Sequence, residues 1–155
     1  MTDNIKRFYE QIDSLKQNLV RILEILGDEQ NLIELEKYYV KLQMVKFANV
    51  RLPIEIFYEH GVLKYHEKIR CKDETFFIQK IHNISEQKTD TINATTDDNL
   101  VKLQDDDLLI IGQIKHFWNK LNDKSKENIW KYITVICILS ERVVKPDTNS
   151  LFLKN

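Results

Sequence analysis

Ile5, Phe8, Ile12, Leu15, Leu19, Ile22 and Leu26 recur at intervals that alternate three and four residues without a miss. An α-helix turns once in about 3.6 residues, so this spacing lines one face with apolar side chains and predicts a packed helix. A chain that opens this way must find an apolar partner for that face. Asp3 is the expected N-cap, its carboxylate accepting from the free N–H groups of the first turn. Gly27 can take the left-handed conformation that closes a helix, and Asp28 can cap the next one. A second apolar series, Leu32, Leu35, Tyr39, Leu42 and Val45, is out of phase with the first across Gly27, which predicts a helical hairpin over 3–47. Tyr38, Tyr39, Met44 and Phe47 widen its apolar face, which suits packing against more than one neighbour.

The rest of the chain reads the same way. Three glycines and two prolines in 155 residues are too few breakers for an all-β fold with its many tight turns. Pro53 is expected at the first position of a short helix ending at Gly61, followed by a second short helix from Leu63 to Lys72. Asp73 would then cap a third over Glu74–Ile81, with Phe76 and Phe77 inward. Residues 83–106, rich in Ser, Thr, Asn and Asp, form a polar and acidic loop longer than an ordinary connection. From Asp105 to Arg142 the pattern predicts two amphipathic helices around a polar turn, carrying Trp118 and Trp130. The expected fold is an all-α, single-domain bundle of about six helices over 1–144. N-terminal (3–47) and C-terminal (107–143) hairpins flank short central helices (53–82), and a poorly ordered tail covers 145–155, where Leu151, Phe152 and Leu153 could dock.

Composition narrows the setting. With 43% hydrophobic and 30% charged residues the chain has enough apolar material for a core. A net charge of −1 gives no overall attraction to nucleic acid or anionic lipid. Charge is uneven, with seven acids against two bases over 83–107 and eight bases against four acids over 108–155; mutual attraction of the two segments is the simpler reading. Cys71 and Cys137 make no disulfide framework, no apolar run approaches the ~20 residues of a membrane span, and the N-terminal stretch is a charged helix start. These features point to a reduced, cytoplasmic protein, in which the sequons at Asn83 and Asn93 are chance.

Catalytic patterns are weak. Asp105, Asp106 and Asp107 could gather a divalent ion, but adjacent side chains diverge, and first-turn acids favoured by the helix dipole are the simpler reading. His60, His66, Cys71 and His82 lack the close pairs that place two zinc ligands on one turn, so no metal is expected. There is no G-x-S-x-G elbow and no glycine-rich phosphate loop. Cys137 lies in an apolar run, where a thiol is inert. Neither an enzyme nor a cofactor is expected.

Two binding surfaces remain. Lys115, Lys120, Lys124, Lys126 and Lys131 surround Trp118 and could neutralise phosphates while the indole stacks on a base. Helical periodicity instead puts both tryptophans in the core and leaves the lysines as a rim. The Ile5, Phe8, Ile12, Leu15 and Leu19 seam could complete this domain's own bundle or lie against another protein, a second copy included.

Two blocks, PIEIFYEHGVLKYHEKIRCKDETFFI (Pro53–Ile78) and IKHFWNKLNDKSKENIWKYITVICILSER (Ile114–Arg142), resemble small helical proteins of nucleocytoplasmic large DNA viruses, the giant-virus group. The resemblance implies a setting, infected-cell cytoplasm or virion, and carries over no catalytic residue. The function expected from these readings is a non-enzymatic protein-interaction or structural component. The alternative is a nucleic-acid-associated regulator using the lysine rim.

Overall fold

The computed structural model describes residues 2–77 and 109–152. Helix α1 (Asp3–Leu26) is capped by Thr2, whose hydroxyl accepts from the Ile5 N–H at 3.4 Å. Asp3, the expected cap, sits one residue further in, where its carboxylate still favours the positive end of the helix dipole. The helix ends as its sequence predicts. Gly27, at φ 68°, donates to the Glu24 carbonyl at 3.1 Å, and Asp28 N–H donates to the Leu23 carbonyl at 3.0 Å, the paired bonds of a Schellman closure. Asp28 then caps α2 (Glu29–Ala48), its Oδ1 accepting from the Asn31 N–H at 3.1 Å.

The two helices run antiparallel, and polar contacts pin them. The Tyr39 hydroxyl donates to Asp13 Oδ1 at 2.7 Å, Lys16 pairs with Glu36 at 2.7 Å, and Lys46 Nζ lies 4.3 Å from the centre of the Tyr9 ring. Burial, and then the Asp13 carboxylate it donates to, push the Tyr39 hydroxyl up to about 12.

The central helices are not separate. Helix α3 (Leu52–Phe57), a π turn (Tyr58–Val62) and α4 (Leu63–Arg70) follow one another without a break, and Leu63 N–H bonds back to the Tyr58 carbonyl. Gly61 therefore does not end a helix as expected. It is buried with Tyr58 and Val62, where no water would take up carbonyls freed by a stop, and the π turn keeps them bonded. The helix stops at Arg70, short of the predicted Lys72, which turns away at φ 55°. Asp73 caps as predicted, its Oδ1 accepting from the Thr75 N–H at 3.0 Å and the Thr75 hydroxyl at 2.7 Å, while residues 78–81 of the helix expected there lie outside the described residues.

The first arm of the C-terminal hairpin is a 3-10 helix (Leu109–His116) and a second 3-10 turn (Trp118–Lys120), not the α-helix that the pattern predicts. Every residue from Leu109 to Lys115 is buried, so this segment has no solvent face to make it amphipathic. Ile110, Ile111 and Gly112 are weak α-formers, and a 3-10 repeat brings Ile111, Ile114 and Phe117 onto one edge. Helix α5 (Asp123–Val144) is α-helical as predicted, with Asn122 Oδ1 accepting from the Ser125 N–H at 2.8 Å. The chain after it docks as far as Phe152, where a frayed tail was expected. The buried Glu141 carboxylate accepts from the Ser150 hydroxyl and, at 2.8 Å, from the Leu151 N–H, and Phe152 is buried.

These elements make an all-α bundle in which α1 packs chiefly on α5, while α2 packs on the 3-10 helix and on α1. At the end near the polar turn, Phe77 stacks on Trp118 at 4.3 Å between ring centres, Trp130 meets Trp118 edge-on at 5.6 Å, and Phe76 completes the group. The Trp118 indole N–H donates to Glu74 Oε1 at 3.1 Å.

Leu15 is fully buried in this core. Leu15→Ala should cost about 2–5 kcal/mol and Trp118→Ala about 3–5 kcal/mol in urea unfolding, because each leaves a cavity that packed neighbours fill only in part. A loss within about 0.5 kcal/mol for both, the size of an ordinary surface change, would contradict this placement.

Candidate functional site

The residues expected to meet a partner are spent on the fold itself. Ile5, Phe8, Ile12, Leu15 and Leu19 are all buried within the monomer, so the α1 seam offers no free docking surface. The physical reason is supply: α5 carries an apolar face long enough to cover it, with Ile129, Ile133, Ile136 and Cys137 buried.

The lysine rim is also altered. Lys115 is buried in the 3-10 helix rather than solvated. Lys120 Nζ donates to Asp28 Oδ2 at 3.0 Å across the bundle. Lys126 Nζ donates to Glu74 Oε1 at 3.0 Å and lies 5.2 Å from the centre of the Trp118 ring. Lys124 and Lys131 are exposed. Trp118 itself is buried, which leaves no indole face for a base to stack on. The stretch is a set of clasps that hold the aromatic cluster and the α1–α2 turn.

No cluster of three or more His, Cys, Asp or Glu side chains suited to a metal is present among the described residues, which include His60, His66 and Cys71. His82, the Asp105–Asp107 run, both sequons and the 83–106 loop lie outside the described residues. Cys137 is fully buried, and burial raises its thiol pKa well above the usual range, so it is no nucleophile. No described helix is long and apolar enough to cross a membrane.

What the bundle does expose is the outer face of α2. Leu35 and Leu42 are buried on its inner side. On the opposite side Ile33, Val40, Met44 and Phe47 are 63, 49, 68 and 94% exposed. At about 100° per residue these four fall within an arc of roughly 60°, half a turn from Leu35 and Leu42. α2 is thus apolar on two opposite faces and polar between them. Two shallow grooves flank the ridge made by Val40 and Met44. One, of about 440 Å³, is bordered by Glu36, Tyr39, Gln43 and Phe47; the other, of about 400 Å³, by Glu34, Lys37, Tyr38 and Lys41. The sequence carried a signal for this face, since Met44 and Phe47 fall outside the inward series and widen it.

The clasps have a pH signature. Asp28 is held below its ordinary pKa by hydrogen bonds from Asn31 and then Lys120, and Glu74 by hydrogen bonds from Lys126 and then Trp118. A depressed carboxylate stabilises the fold above its unfolded pKa, and that contribution is lost as pH falls through the folded one. Thermal melting points should therefore hold steady from neutrality to about pH 5 and drop below about pH 4. The double variant Asp28→Asn with Glu74→Gln should start lower at neutral pH and lose less on acidification. An equal acid loss in both proteins would rule these two groups out as its source.

No family model, no curated protein and no solved structure matches this chain.

Proposed function

We propose that this protein is a non-enzymatic interaction or structural component that docks another protein on the outer face of α2. The observation that carries the reading is the stripe of Val40, Met44 and Phe47, with Ile33 two turns earlier on the same face, large apolar side chains left exposed among the described residues. Leaving such side chains exposed forgoes about 1.5–3 kcal/mol for each that could be fully buried, and rimmed apolar patches of this kind mark protein contact sites. The rim here is charged, with Glu34, Glu36, Lys37 and Lys41 along its edges, the anatomy of a contact with an apolar centre and a polar border. Met44 and Phe47 are residue types favoured at the centre of such contacts.

The resemblance of Pro53–Ile78 and Ile114–Arg142 to giant-virus proteins supports a viral setting as part of the same reading, in infected-cell cytoplasm or in the virion. The nucleic-acid alternative has weaker support, because Lys120 and Lys126 are engaged by carboxylates and Lys115 is buried.

Val40→Glu and Met44→Glu place a charge on the ridge without touching the core. Both variants should melt within a few degrees of the parent and lose at least about tenfold in binding to whatever protein the parent retains, the equivalent of about 1.4 kcal/mol. Pull-down with each purified variant in parallel with the parent checks this. Retention of the same proteins at the same level by both would sink the assignment to this face.

A further inference from the structure

The order of charges along α2 carries an inference about what covers its outer face. Its acids, Glu29, Glu34 and Glu36, all precede its lysines, Lys37, Lys41 and Lys46. Such a helix is complementary to itself only when reversed. Parallel alignment of two copies sets acid against acid and lysine against lysine, whereas antiparallel alignment sets each acidic half against a basic half. A two-fold axis perpendicular to the helix produces that reversed arrangement, in which residue i of one copy meets residue j of the other and j meets i.

The apolar stripe fits the same axis. A register centred near residue 38 brings Ile33 of each copy to Met44 of the other and sets both Val40 side chains beside the axis. The alkyl stem of Lys37 packs between them. In that register Glu34 of each copy lies on the same edge as Lys41 of the other, two residues or about 3 Å apart along the helix axis and within reach of the long lysine side chain. Phe47, the most exposed of the stripe, overhangs toward the other copy's α1–α2 turn, where Ile25 and Leu26 are themselves exposed. Lys46 and Glu36 take no part, because Lys46 lies over the Tyr9 ring and Glu36 pairs with Lys16, both within the same chain; Glu29, Glu34, Lys37 and Lys41 carry the complementarity.

We propose that the protein docked on α2 is a second copy of this chain, paired antiparallel about a two-fold axis through the Ile33, Val40, Met44 and Phe47 stripe. This proposal rests on the docking reading above. A helix of 20 residues is about 30 Å long, and one helix pair buries less than the ~1,200 Å² at the low end of stable interfaces. The pairing is therefore weak and reversible, with a population set by concentration.

Sedimentation velocity on the full chain over a wide concentration range, at low salt, tests the proposal. The expected result is a reversible monomer–dimer equilibrium that Val40→Glu abolishes while the circular dichroism melt is retained. Should Val40→Glu fail to fold, Val40→Ser, expected to weaken the dimer, takes its place. Glu34→Lys and Lys41→Glu should each weaken the dimer about fivefold or more, since reversal sets like charges together at two symmetric places. The double exchange in one chain should recover most of that loss. A chain that stays monomeric at every concentration, a dimer indifferent to position 40, or a double exchange no better than the single variants would each overturn the proposal. A photo-reactive benzoyl-phenylalanine at position 40 separates this outcome from the docking reading. A self-adduct supports the pairing. An adduct formed only with a different protein overturns the pairing and leaves docking on α2 standing, and a monomer with no adduct at all removes both.

Discussion

Burial of one stripe of α1 against α5 is the interaction on which the other elements depend. Phe8, Ile12, Leu15, Leu19 and Leu23 are withdrawn completely from solvent, as are Ile129, Ile133, Ile136 and Cys137. First and last helices of the described chain are thereby joined. The middle of the sequence is folded between them, with α2 laid along α1 and the 3-10 helix, and the 52–70 helix against α5. Polar groups then lock the periphery at long sequence separation. Asp28 serves both as the cap of α2 and as the acceptor for Lys120, and Glu74 receives both the Trp118 indole and Lys126. The Glu74 carboxylate is half exposed and screened by solvent, whereas the Asp28 side chain is largely covered.

Much of this was legible in the residues. The α1 seam, the Gly27–Asp28 punctuation, the extent of α5 and the inward orientation of both tryptophans follow from a three-and-four spacing and from side chains suited to caps. The departures share a cause, which is burial on all sides. Gly61 reads as a stop only if water can satisfy the last carbonyls, and Lys115 reads as a rim only if its segment has an outside. The 3-10 helix is invisible to periodicity for the same reason, since a wholly buried segment shows no alternation of apolar and polar positions. Thr2 instead of Asp3 as the cap is a one-residue slip between two residue types that both favour the cap position.

The candidate site was half legible. The α1 seam has the stronger pattern, and pattern strength identifies the face that the fold consumes first. The outer face of α2 has a weaker signature because its apolar residues are interleaved with the inward series and blur it. Only the structure separates Leu35 and Leu42, which are buried, from Ile33, Val40, Met44 and Phe47, which are not. A surplus of apolar residues over what one inward stripe requires is thus the feature of a sequence that points to a second contact.

The two-faced character of α2 has a consequence for how the helix finds its orientation. Rotating it half a turn about its long axis would still present an apolar stripe, Ile33, Val40, Met44 and Phe47, to the rest of the bundle. Hydrophobicity alone therefore does not tell this helix which side is in. The choice falls to directional contacts that a rotated helix could not make: Tyr39 to Asp13, Glu36 to Lys16, and Lys46 over Tyr9. In this segment of the bundle the polar groups act as the key that fixes which stripe turns inward, and the apolar groups supply the driving force for burial.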